Sequence, residues 1–113
     1  MMLETKVGVS VNKELLHNYF KNLVNLFFKI LPIREKEEPS LVTYMTSLQV
    51  ELLGCKEFVD GLNNDSHYLS LLAILQYLID NPDSDVYKFK REVFKAISIC
   101  NKLKSKYASR EVI

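Results

Sequence analysis

At 113 residues with 48% apolar positions, the chain can enclose one hydrophobic core and is too short to divide comfortably into two domains. Three Gly, three Pro and no Trp, against six Tyr and six Phe, argue against a turn-rich β architecture and favour helices. The 15 basic and 14 acidic residues nearly cancel, to a net +1, which is short of the basic excess of a dedicated nucleic-acid binder.

The expectation is an all-α, compact helical bundle of four main helices plus one short helix. It forms a single domain over 1–113, with 1–11 a flexible or irregular N-terminus. After Asn12 the apolar positions Leu15, Leu16, Tyr19, Phe20, Leu23, Val24, Phe27, Ile30 and Leu31 follow three-and-four spacing, the mark of one helix face. Asn12 suits an N-cap, and Pro32 predicts a stop at Leu31. Ile33 to Pro39 reads as a charged surface connector. Ser40 can cap a second helix over about Leu41 to Leu53, burying Leu41, Tyr44, Met45, Leu48 and Leu52. Gly54 would then supply the left-handed residue that follows many helix ends.

Lys56 to Leu62 has helical spacing but is limited by Gly61 and the polar Asn63-Asn64-Asp65 run, so it predicts the short helix. Asp65 or Ser66 caps a third long helix in which Tyr68 to Ile79 leaves almost no polar side and should be covered on several sides. Asn81 to Asp85 is turn chemistry, and Ser84 or Asp85 can open the last helix. There Val86, Phe89, Val93, Ala96, Ile97, Cys100, Leu103 and Tyr107 form one face. Short connections predict an up-down bundle with the third helix most enclosed.

The first residues lack the basic segment, apolar core and cleavage site of a secretory leader, and Tyr68 to Ile79 is well short of the ~20 residues that span a bilayer. Cys55 and Cys100 form no C-x-x-C pair and read as free, mostly buried thiols. A cytoplasmic protein without membrane contact is expected.

Charge is unevenly distributed: residues 1–34 carry net +3, residues 35–85 net −8 and residues 86–113 net +6. Lys88, Arg91, Lys95, Lys102 and Lys106 lie opposite the apolar face of the last helix. They have an economical explanation as a solvated face suited to a helix C-terminus and to the acidic middle segment. Alternatively they form a partner-binding surface for an acidic protein or for phosphates. Lys outnumbers Arg there, which suits diffuse attraction rather than base reading. The opposed acidic and basic regions also suit self-association.

No residue set points to chemistry. His17 and His67 belong to no metal motif, and Glu35, Glu37, Glu38, Asp80, Asp83 and Asp85 are connector carboxylates without the glycine and distal glutamate of a calcium loop. Gly8, Gly54 and Gly61 are isolated, so no phosphate loop exists, and no nucleophile elbow occurs. The expected function is a non-enzymatic protein-interaction module, an adaptor, regulator or inhibitor, with no catalytic, cofactor-binding or metal residue and no small-molecule substrate. Nucleic-acid binding through the basic last helix is the alternative. Abundant Lys, Asn, Ile and Leu suit a bacterial or phage accessory protein.

Overall fold

The computed structural model describes residues 2–4, 10–58, 62 and 64–107. The chain is an all-α bundle with a short ribbon at its start. Within the segment expected to be irregular, β1 (Met2–Glu4) pairs antiparallel with β2 (Ser10–Asn12), Leu3 opposite Val11. The intervening 5–9 and the side chain of Asn12, to which a cap was assigned, lie outside the described residues.

Helix α1 (Lys13–Phe28) buries Leu16, Phe20, Leu23 and Phe27, one stripe of the 3.6-residue period. Leu15, predicted on that stripe, is 64% exposed because it sits about 100° of helical rotation away from Leu16. The predicted stop at Leu31 is also corrected. The helix breaks at Lys29 and resumes as α2 (Ile30–Glu35), which is the short helix of the fold. Pro32 has no N–H for the carbonyl of Phe28 and its ring crowds that carbonyl, so the break falls upstream of the proline. Within α2, Pro32 occupies the first turn, where the missing N–H has no intrahelical partner to lose. Ile33 to Glu35 is therefore helical rather than loop.

Helix α3 (Leu41–Phe58) runs through Gly54 instead of ending before it. One glycine disfavours a helix by about 1 kcal/mol, which the packing of Leu52 and Cys55 on either side of it offsets. The helix absorbs Lys56 to Phe58 of the short helix predicted over 56–62, while 59–61 lie outside the described residues and Leu62 is fully buried. A Cβ placed on Gly54 meets nothing within 4 Å. Gly54→Ala is therefore expected to stabilise the protein by about 0.5–1 kcal/mol, read as a rise of a few degrees in the thermal midpoint.

Helix α4 (Ser66–Asp80) starts at Asp65, whose carboxylate accepts from Tyr68 N at 3.1 Å. Helix α5 (Val86–Lys106) starts at Asp85, whose carboxylate accepts from Tyr87 N and Lys88 N at 3.1 and 3.2 Å. Of the face predicted for α5, only Val86, in the first turn, is exposed.

Around the bundle, α3 packs on α4, α4 on α5 and α5 on α1, with α2 bridging α1, α3 and α5. Tyr44 Oη donates to Leu26 O at 2.8 Å and Tyr19 Oη to Glu51 at 3.1 Å, which closes the ring between α1 and α3. Helix α5 packs on three others, α1, α2 and α4, while α4 has the larger share of its residues buried, five of fifteen against six of twenty-one, as expected of the most enclosed helix. The outward side of α4 presents Ser66, Ser70, Ala73, Gln76 and Asp80, none of them buried, so the run from Tyr68 to Ile79 is not covered on every side. Among the described residues no helix is long and apolar enough to cross a membrane.

Candidate interaction surface on the last helix

Lys88, Arg91, Lys95, Lys102 and Lys106 are all exposed, and at 3.6 residues per turn they fall within about 60° of one another on α5, over ~27 Å. The structure brings the five together on one flank of α5, but it does not leave them equally free. Lys106 Nζ lies 2.5 Å from Asp65 Oδ2, tying the last turn of α5 to the cap of α4. Lys88 Nζ sits 5.6 Å from the centroid of the Tyr77 ring. Arg91 Nε and Lys95 Nζ share Glu92 Oε2, at 3.8 and 3.2 Å. Lys102 has no ion-pair partner among the described residues. Asp65 and Glu92 thus offset part of the charge of the stripe.

Beside the stripe lies a group of aromatic side chains that the charge pattern alone did not reveal. Tyr87 is 80% exposed and Phe94 48%, and Phe94 packs edge-to-face on Phe28 of α1 with ring centroids 6.1 Å apart. Tyr87 and Phe94 are seven residues apart, two helical turns, and both fall on the polar side of the α5 period. That spacing was the available signal. Arg91, one turn after Tyr87, has a side chain 68% exposed. Exposed aromatic and Arg side chains bordered by lysines have the make-up of the energetic centre of a protein interface.

A second feature is a cavity of about 350 Å³ between α2, the start of α3 and the α4–α5 turn, bordered by Arg34, Glu37, Glu38, Val42 and Asp83. Arg34 stacks on Phe89 at 4.5 Å and donates from Nη2 to Ser84 O at 2.6 Å. Its Nη1 and Ser84 Oγ are shielded from solvent without a hydrogen-bond partner among the described residues. The guanidinium braces α2 against the start of α5. Glu37, at the rim, has a positive φ of 54°, uncommon for a residue other than glycine.

The titratable groups in the interior are arranged for packing. Burial pushes the Cys100 thiol up to about 12 and also raises Cys55, which lies near Tyr19 and Tyr68. Both cysteines are free. Since the thiolate is the reactive form, Cys100 is expected to resist an aromatic disulfide reagent at pH 8 until the protein unfolds, with half-buried Cys55 modified first. Absorbance release under native and denaturing conditions checks this. His17 Nδ1 lies 2.9 Å from Lys104 O and serves to join α1 to α5. Among the described residues no three His, Cys, Asp or Glu side chains converge on a point where a metal could be held.

Comparison with known proteins returned no match, whether to a family model, to a curated protein or to a solved structure.

Proposed function

We propose that the protein is an interaction module, an adaptor, regulator or inhibitor, that docks the outer side of α5 on an acidic surface of a protein partner in the cytoplasm. The observation that carries this reading is Tyr87, 80% exposed on the same helix as Phe94, which packs on Phe28, and one turn from Arg91. Phe94 is partly held by its packing on Phe28, whereas Tyr87 stands in water on the charged side of the helix, where an interface uses such a ring as an anchor within a cationic rim. Lys88, Arg91, Lys95 and Lys102 would speed the encounter by long-range attraction. Lys106 contributes less, because it is engaged by Asp65.

The same alternation of rings and cations favours single-stranded nucleic acid as a second reading, with bases stacked on Tyr87 and Phe94. Glu92 weighs against it, since its carboxylate lies beside Arg91 and Lys95 where phosphates would pass. Chain immobilised and exposed to cytoplasmic extract is expected to retain an acidic protein, and a variant with Lys88, Arg91, Lys95 and Lys102 replaced by Gln is expected to lose it. Retention of the same protein by both forms sinks the assignment. Titration with a mixed-sequence oligonucleotide separates the second reading, which requires affinity that falls steeply with salt.

A further inference from the structure

The exposed side of α5 is ordered in sevens. Tyr87, Phe94 and Asn101 form one row and Arg91, Ser98 and Ser105 a second beside it, all six exposed. Lys88, Lys95 and Lys102 form a third row on the side toward α4 and are exposed as well. A row at steps of seven drifts by only about 20° per repeat, so each row keeps to one line along the helix. The first two rows together run from Tyr87 to Ser105 at steps of four and three, the register in which one helix receives another. Two rings and Arg91 stand before the short side chains of Ser98 and Ser105, which leave room for large apolar side chains of an opposing helix. The positions flanking this seam are cationic on both sides, Lys88, Lys95 and Lys102 on one and Lys90 and the half-buried Lys104 on the other. In a helix pair those flanking positions select the partner by charge. The acidic groups nearby are occupied or peripheral. Glu92 is 12% exposed beside Arg91 and Lys95, Asp85 accepts from the first amides of α5, Asp83 lies in the turn before it, and Glu14 of α1 lies one turn before His17, level with the end of α5.

We propose, resting on the α5 reading above, that the partner meets this seam with a single amphipathic α-helix whose apolar stripe is flanked on both sides by carboxylates. A helix of about 18 residues covers the ~27 Å from Tyr87 to Ser105. Its apolar stripe packs on Tyr87, Phe94 and the gaps at Ser98 and Ser105, and its carboxylates meet the lysine row. A second copy of this chain does not fit. Two α5 seams would set lysine rows against each other, and no described helix carries more than two acidic residues. An acidic loop or sheet surface would satisfy the lysines without matching the register of sevens.

Two synthetic peptides of about 18 residues, identical in composition and charge, test the proposal. One places Leu at steps of three and four with Glu on both flanks, and the other holds the same residues shuffled so that neither pattern recurs. Fluorescence anisotropy with the full chain at physiological salt should show the patterned peptide binding at least about tenfold tighter than the shuffled one, one peptide to a chain. Lys95→Glu combined with Lys102→Glu should weaken the patterned peptide about a hundredfold. Lys29→Glu combined with Lys36→Glu, the same change of net charge away from α5, should change its affinity little. All four lysines are exposed, so circular dichroism should be unchanged in both variants. Equal affinity for the two peptides overturns the proposal, and so does binding of neither. In both cases the α5 reading still stands if cytoplasmic extract yields an acidic protein that the Gln variant loses, and it falls as well if none is retained. A mixed-sequence oligonucleotide bound more tightly than the patterned peptide, or a dimer of the chain that excludes the peptide, overturns the proposal too, giving the seam to nucleic acid or to a second copy.

Discussion

Replacing Phe20 with Ala is expected to lower the unfolding free energy by about 3–5 kcal/mol, the cost of removing a whole aromatic ring from a packed core. Phe20 is fully buried at the centre of an aromatic cluster, with Tyr19, Tyr107 and Tyr68 at centroid distances of 5.5, 5.7 and 6.1 Å. Those rings come from α1, the start of α4 and the residue that follows α5, so truncation opens a void where three parts of the bundle meet. A close-packed interior closes such a void only partly. Against a domain stability on the order of 5–15 kcal/mol, the loss is large. Urea unfolding should show a lower midpoint with an unchanged slope. Leu15→Ala on the same helix, at a side chain 64% exposed, should change the unfolding free energy by no more than about 0.5 kcal/mol.

The second large effect centres on Asp65. Its side chain is 1% exposed, accepts from Tyr68 N at the first turn of α4 and pairs with Lys106 at 2.5 Å. Burial alone would raise its pKa. The hydrogen bonds from Lys106 and from the Tyr68 and His67 amides outweigh that and hold the carboxyl below its usual range. Asp65→Ala should cost about 1–3 kcal/mol, mostly from the lost cap, because Lys106 is half exposed and water screens its part of the pair. Asp65→Asn should keep the cap and cost less. A carboxyl with a depressed folded pKa contributes stability that is complete above its unfolded pKa of about 3.9 and is lost as pH falls through the folded value. The wild type should therefore lose stability on acidification below about pH 4 more steeply than Asp65→Asn, as measured by unfolding midpoints across that range.

The helix faces were legible because three-and-four spacing reports burial directly. Phe20, Leu23 and Phe27 in α1, and Phe89, Val93 and Cys100 in α5, lie in the core where the period placed them. Pro32 misled because proline acts on the carbonyl four residues before it, so it breaks the helix at Lys29 and then fits the first turn of α2. Gly54 misled because local propensity is weak beside the packing of Leu52 and Cys55. That α5 packs on more helices than α4 was hidden by hydropathy, since the charged flank of α5 makes it the less apolar of the two, while the outward side of α4 is made largely of small and neutral residues.

The cationic stripe was legible from its period, yet the partner that holds Lys106 lies 41 positions away, beyond any local pattern. Tyr87 and Phe94 were legible in principle. Aromatic residues are assigned to cores by habit, and only their phase, away from Phe89 and Val93, marks them as turned outward.

An interaction surface on the outer side of α5, anchored by aromatic side chains, is tested most directly by the affinity of the captured acidic partner for the wild type and for Tyr87→Ala/Phe94→Ala. Tyr87 is 80% exposed and Phe94 about half, so the double variant should keep its helix content. Loss of anchors of about 2 kcal/mol each predicts binding weakened on the order of several-hundredfold, with little change in association rate. An affinity equal to that of the wild type would contradict a role for these rings as anchors.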